Sequence, residues 1–253
     1  MPTNWDAHID AFLPEDGFEG TLVGRVWRPD MGGPSVVSVR ESGVVDITNA
    51  APTMSALTNA KDPCAVASAD GENLGNWRAI AANSVAGQQD NTRPWFLSPS
   101  DLQAHKACGV TFVRSLLERV IDERTAGDPA LAEEVRKALL DSIGIDLSDV
   151  VPGSPEAEMV KAALLDRDMW SQYLEVGIGP YAEVFSKAQP MSAVGFGAMI
   201  GIHPMSNWNN PEPETVLVGN ADGRIVGAAL GNDVNLRDVE GRSALLLGRA
   251  KDN

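Results

Sequence analysis

The stretch Trp208-Asn209-Asn210-Pro211-Glu212-Pro213-Glu214-Thr215-Val216-Leu217-Val218 carries two glutamates one residue apart. On a strand, residues two apart project to the same face, so Glu212 and Glu214 point together. Pro213 points the other way and donates no backbone hydrogen bond, which suits an edge or a strand start. Downstream, Asp222-Gly223 is a two-residue hairpin signal, followed by Ile225-Val226-Gly227-Ala228-Ala229-Leu230-Gly231-Asn232-Asp233. Such a turn pairs Ala221 with Arg224. Counting outward sets Val218 opposite Gly227, Glu214 opposite Gly231 and Glu212 opposite Asp233. The three carboxylates then share one face of two strands, with opposite β-carbons about 5 Å apart. A three-residue loop would break this parity. Carboxylates held this close repel one another unless some are protonated or a cation is present. A hard divalent cation resolves the conflict, and an all-oxygen set suits Mg²⁺, Mn²⁺ or Ca²⁺ rather than zinc. Gly231 leaves room opposite Glu214 for the ion or a substrate. The alternative is an acidic hairpin face that is merely solvated.

The elements around this hairpin belong to a chain of 253 residues with a formal net charge of −15. That length suits one large domain or two small ones. The charge argues against nucleic acid as a partner, since binding its backbone needs clustered Lys and Arg. Cys64 and Cys108 do not form a metal-type pair and read as reduced thiols. The N-terminus lacks the apolar core of a signal peptide, and no run reaches the roughly 20 apolar residues of a membrane span. The sequence thus reads as cytoplasmic, with no membrane partner. His8, His105 and His203 show no triad or metal spacing.

Three short strands are expected over 19–48, with Glu41-Ser42-Gly43 as a hairpin turn. A short helix is expected near Thr53 to Asn59, and residues 60–95 read as a loop or linker. From Ala104 to Trp170 the pattern is helical. Asp128-Pro129 and Ser154-Pro155 are start signals, each a cap followed by Pro at the first helical position. Leu131, Val135, Ala138, Leu139 and Ile143 fall on one face of the first helix, and Gly144 can stop it. Val160, Ala163 and Leu164 form a stripe on the second. From Leu174 onward the chain reads as glycine-rich and strand-like. The glycines of Gly195-Phe196-Gly197-Ala198-Met199-Ile200-Gly201 lack dinucleotide-fingerprint spacing and suit bends or close packing.

Asn210-Pro211-Glu212-Pro213-Glu214, the segment Gly231-Asn232-Asp233-Val234-Asn235-Leu236-Arg237-Asp238, and Ala250-Lys251-Asp252 together resemble the fumarylacetoacetate hydrolase superfamily. Ala182-Glu183-Val184-Phe185-Ser186-Lys187 resembles its Phe-x-Lys segment. Within that family the sequence is most similar to bacterial dehydratases of 2-keto-3-deoxypentonates. Cys108-Gly109-Val110-Thr111-Phe112, Leu117-Glu118-Arg119-Val120-Ile121, Trp170-Ser171-Gln172-Tyr173-Leu174-Glu175 and Glu240-Gly241-Arg242-Ser243-Ala244-Leu245-Leu246-Leu247 carry that likeness.

The resemblance implies an α+β fold. A small β-rich N-terminal domain and linker would span 1–95. A fumarylacetoacetase-type mixed β-sandwich or roll with an inserted helical segment would span 96–253, with C-terminal strands absent and hairpin apolar residues such as Val216, Leu217 and Val218 underprotected. It implies Glu212, Glu214 and Asp233 as metal ligands, Lys251 as the active-site lysine and Glu118 as base or water-orienting carboxylate. Lys187 and Arg237 would contact substrate anions. The implied substrate is a 2-oxo acid, dehydrated to 2,5-dioxopentanoate, with Mg²⁺ (or Mn²⁺ or Ca²⁺) stabilising the charge that develops when a C3 proton leaves. The competing readings are a carbon–carbon hydrolase or oxaloacetate decarboxylase using the same centre, and an inactive metal-binding fragment. A homo-oligomer is compatible with each.

Overall fold

The computed structural model describes residues 5–109, 118, 120–121, 124–125, 128–143, 150–166, 168, 170 and 172–252. Gly144 and part of the Cys108–Ile121 region lie outside them, as do the side chains of Leu139 and Ile143.

The chain opens with helix α1 (Trp5–Asp10) and then strands β1 (Leu22–Arg28), β2 (Gly33–Arg40) and β3 (Gly43–Asp46). Helices α2 (Met54–Thr58) and α3 (Pro63–Ala67), strand β4 (Glu72–Asn73), helix α4 (Trp77–Asn83) and strand β5 (Trp95–Leu97) follow. The strands form one antiparallel sheet in the order β4-β3-β2-β1-β5. Both faces of this sheet are covered. Val26, Val37, Val39 and Val44 pack with Ile9, Ile80 and Phe96 on one side, while Val36 and Val45 pack with Ile47, Met54 and Leu57 on the other. Burial on two faces accounts for apolar runs that do not alternate.

The expected helix near Thr53 is α2, with the Thr53 hydroxyl accepting from Ala56 N and Asn59 as C-cap. The loop expected over 60–95 is not one. It holds α3, β4 and α4, capped by Asp62 and Asn76. Helices of five and seven residues are too short to display a 3.6-residue period, although their caps are legible.

Strand β6 (His105–Cys108) opens the region expected to be helical. It pairs antiparallel with β7 (Val184–Ala188), a partner far along the chain that no local pattern reveals. Between them lie α5 (Pro129–Ile143), α6 (Pro155–Leu165) and α7 (Gln172–Ile178). Both start signals hold: Ala130 N donates to Asp128 Oδ1 (2.9 Å) and Ala157 N to Ser154 Oγ (3.1 Å). Ala157, Val160 and Leu164 pack with Leu174 and Ile178, and α5 joins them through Ala132 and Val135. Leu131 and Ala138 of the expected face are exposed, whereas Val135 packs inward together with Ala132. Helix α7 replaces the expected strand. Leu174 and Ile178 are buried at i, i+4 spacing despite Gly177.

The remaining strands are β8 (Asn209–Asn210), β9 (Pro213–Gly219), β10 (Ile225–Asn232) and β11 (Asn235–Leu236). Helix α8 (Arg237–Glu240), a 3₁₀ turn (Ala244–Leu246) and helix α9 (Leu247–Lys251) complete the described chain. Every described strand pairing is antiparallel, with helices lying between the groups of strands, an α+β arrangement. Among the described residues, the expected sandwich or roll is represented by three two-stranded pairings, β6-β7, β8-β11 and β9-β10. Leu217 is 58% exposed on the β9-β10 hairpin and Val216 is also exposed. No helix among the described residues is long and apolar enough to cross a membrane.

Candidate metal centre

The β9-β10 hairpin sets the site. Val218 pairs with Gly227 and Glu214 with Gly231, and Asp233 N donates to Glu212 O (2.9 Å). This is the expected register, but the loop that creates it is different. Asn220 N donates to Arg224 O, which closes a three-residue loop rather than a two-residue turn. Asn220 Oδ1 accepts from Asp222 N and Arg224 N, and Gly223 supplies the left-handed residue at φ +77°. The parity such a loop disturbs is restored by an irregularity between Ile225 and Gly227, a bulge that absorbs one residue.

Glu212, Glu214 and Asp233 each present a carboxylate oxygen, and these oxygens all lie within 4.8 Å of one another. Gly231 does not leave the expected opening. A β-carbon there would lie 2.6 Å from Val216 Cγ2, so the Val216 side chain fills that space.

Two lysines close on the carboxylates from other elements. Lys251, on α9 and 3% exposed, donates from Nζ to Glu212 Oε2 (2.5 Å) and Asp233 Oδ2 (3.1 Å). Helix α9 is anchored there by Ala250, which packs with Leu236 and Val239. Burial alone would lower the Lys251 pKa, but the Glu212 bond and the charges of Asp233 and Glu240 outweigh it, and the pKa is raised. Lys251 is therefore an ammonium at neutral pH.

Lys187, on β7, lies 3.1 Å from Asp233 Oδ1 and donates to Val234 O (2.9 Å) and to Lys251 O. These contacts tie β7 to the strand end and to α9. They differ from the expected contact to a substrate anion. Arg237, at the start of α8, places its guanidinium over Trp208, 5.6 Å from the ring centroid. Glu118 is not in the carboxylate group. It is exposed and bound by Arg136, with Nη2 to Oε2 at 2.7 Å. His203 is exposed and accepts from Met205 N through Nδ1 (3.1 Å).

The sequence reading gave no role to Asn235 or Glu240, yet both sit behind the carboxylates. Asn235 is fully buried, and its Nδ2 donates to Glu212 Oε1 (3.1 Å) and to buried Glu240. Strand parity was the available signal: Gly231, Asp233 and Asn235 are spaced by two.

The donor set fits a hard divalent cation. All three candidate ligands are carboxylates, and Asp233 is buried. Its Oδ1 lies 3.1 Å from Lys187 Nζ as an ion pair and has no hydrogen-bond partner among the described residues. The amide oxygens of Asn210 and Asn235 are likewise buried without a donor among the described residues. Buried acceptors without a hydrogen bond are uncommon, and the one on Asp233 belongs to the carboxylate group that a cation would share.

No protein-family model matches the chain. It is 30% identical over 159 residues to a probable 2-keto-3-deoxyxylonate dehydratase of Haloferax volcanii, covering 51% of this chain and 53% of that protein. It is 39% identical over 69 residues to a 2-dehydro-3-deoxy-D-arabinonate dehydratase of Saccharolobus solfataricus, covering 27% and 23%. The chain thus aligns with about half the length of the first relative and less of the second. The structure resembles that of a 2-keto-3-deoxy-D-arabinonate dehydratase complexed with magnesium and 2,5-dioxopentanoate. The TM-score is 0.54 at 17% identity, covering 91% of this chain and 61% of that one. The apo form of that enzyme superposes with a TM-score of 0.56 over the same shares. At this identity the likeness is one of fold.

Proposed function

We propose that this chain carries the cation centre of a hydro-lyase that removes water from a 2-keto-3-deoxy sugar acid, a pentonate, to give 2,5-dioxopentanoate. Glu212, Glu214 and Asp233 are the Mg²⁺ ligands in this proposal, in the manner of the fumarylacetoacetate hydrolase superfamily. The convergence of their carboxylate oxygens from two hairpin strands carries the reading. The names of the two sequence relatives, and the magnesium and 2,5-dioxopentanoate bound by the structural neighbour, support it.

Bound Mg²⁺ would act as a Lewis acid toward the carboxylate and 2-oxo oxygens of the substrate. Lys251 holds Glu212 and Asp233 in place and keeps a fixed positive charge beside the substrate carboxylate. Lys187 secures Asp233 and the backbone around Lys251. Proton removal at C3 is assigned to Glu118, which must leave Arg136 to act. Loss of that proton and of the C4 hydroxyl expels water, and tautomerisation gives the dioxo acid.

Calorimetric titration with Mg²⁺ tests the centre, with 2,5-dioxopentanoate formation measured alongside. Glu212→Ala, Glu214→Ala and Asp233→Ala are each expected to weaken Mg²⁺ binding, and chelation is expected to stop turnover. Mg²⁺ binding left unchanged by Glu214→Ala would refute the ligand set.

A further inference from the structure

We infer that Asn235 and Glu240 form a buried relay that positions Glu212 for cation binding. This rests on the metal reading of the same carboxylates. An asparagine amide nitrogen has two hydrogens, and Asn235 directs Nδ2 at two anions, Glu212 and Glu240. That fixes the amide orientation, because the reversed amide would set its oxygen against both carboxylates.

The arrangement works against local stability. Asn235 Oδ1 is buried with no hydrogen-bond partner among the described residues, which costs stability. Glu240 is a second buried acid, on a helix whose Val239 packs with Leu236 and Ala250 in an apolar cluster. An apolar pair at 235 and 240 would suit that cluster better.

What the polar pair provides is orientation. Asn235 holds Glu212 Oε1 while Lys251 holds Oε2, so the carboxylate is gripped at both oxygens. Each oxygen retains a lone pair for a cation shared with Glu214 and Asp233. Asn235 and Glu240 are positioning residues and touch neither cation nor substrate.

The test is Mn²⁺ titration of the 253-residue chain, read by calorimetry and by the electron paramagnetic resonance of bound Mn²⁺, with circular dichroism to confirm folding. Asn235→Ala is expected to weaken Mn²⁺ about 10–100-fold and to change the resonance of what binds. Glu240→Ala is expected to weaken it too, while Glu240→Gln, whose amide oxygen can still accept from Asn235, retains most of the affinity. Wild-type affinity in Asn235→Ala, with binding lost in Glu212→Ala, overturns the relay and leaves the metal centre standing. Should Asn235→Ala not fold, equal Mn²⁺ affinity in the Glu240→Ala and Glu240→Gln chains overturns it. Absence of Mn²⁺ binding by the unaltered chain overturns the relay and the metal reading together.

Discussion

Lys251→Met is expected to weaken the metal-free fold and to increase its response to Mg²⁺. The ammonium is buried and bonds Glu212 Oε2 at 2.5 Å and Asp233 Oδ2 at 3.1 Å. Methionine keeps much of the length and apolar stem but leaves both carboxylates without that charge. Breaking a buried ion pair from one side costs about 3–5 kcal/mol. At about 2–4 °C per kcal/mol for a chain of this size, the melting temperature in chelator should fall by roughly 6–20 °C. A divalent cation can replace the lost charge. Mg²⁺ at about 100 times its Kd adds about 2.7 kcal/mol to any chain that binds it only when folded. Its Kd should be tighter in the variant, because removing the ammonium's repulsion of the cation outweighs the loss of its bond to Glu212 Oε2. The assay is thermal unfolding of both chains in chelator and across a Mg²⁺ series at pH 7.5. The unfolded-state pKa of lysine is 10.5 and the folded one is higher, so the ammonium's contribution is fully present at that pH. It would be lost only as pH rises beyond 10.5. Equal melting temperatures in chelator, or a smaller Mg²⁺ shift in the variant than in the parent, would show that Lys251 does not neutralise this site.

Burial lowers the His105 pKa below 6.5, so the unfolded chain takes up that proton first. Urea unfolding should show stability that is level above about pH 6.5 for this group and falls below it. His105→Gln should flatten the pH 7.5 to 5.5 slope, and an unchanged slope would rule out His105 as its source. A β-carbon at Gly195 would lie 2.6 Å from the carbonyl carbon of Leu97 and 2.8 Å from Phe96 O, backbone atoms that cannot rotate away. Gly195→Ala should therefore destabilise by about 1–3 kcal/mol, measured by the same unfolding, and parental stability would refute the close-packing reading.

Local rules made much of this protein readable before folding. A strand repeat of two is enough to put Glu212 beside Glu214, and caps such as Asp128 and Ser154 start helices through bonds to the next few residues. Where signals were short or mixed, local reading failed: α3 and α4 lacked a full periodic window, and the glycine-rich chain from Leu174 read as strand where α7 forms. The hairpin shows how narrow the margin was. The expected register was reached through a three-residue loop and a compensating bulge, and local preferences did not announce that combination.

The lysine partners of the carboxylates were beyond any local rule. Lys251 reaches Glu212 across 39 positions, and Lys187 reaches the Lys251 carbonyl across 64. Asn235 becomes a link in the site only once α8 folds back and sets Glu240 against it. Sequence could name acids that share a face, because side-chain direction along a strand is set by neighbouring residues. Which buried charges meet those acids, and how each oxygen is held, depends on the packing of distant segments. Coulombic and hydrogen-bond energies follow distance in space, and only the tertiary structure sets that distance.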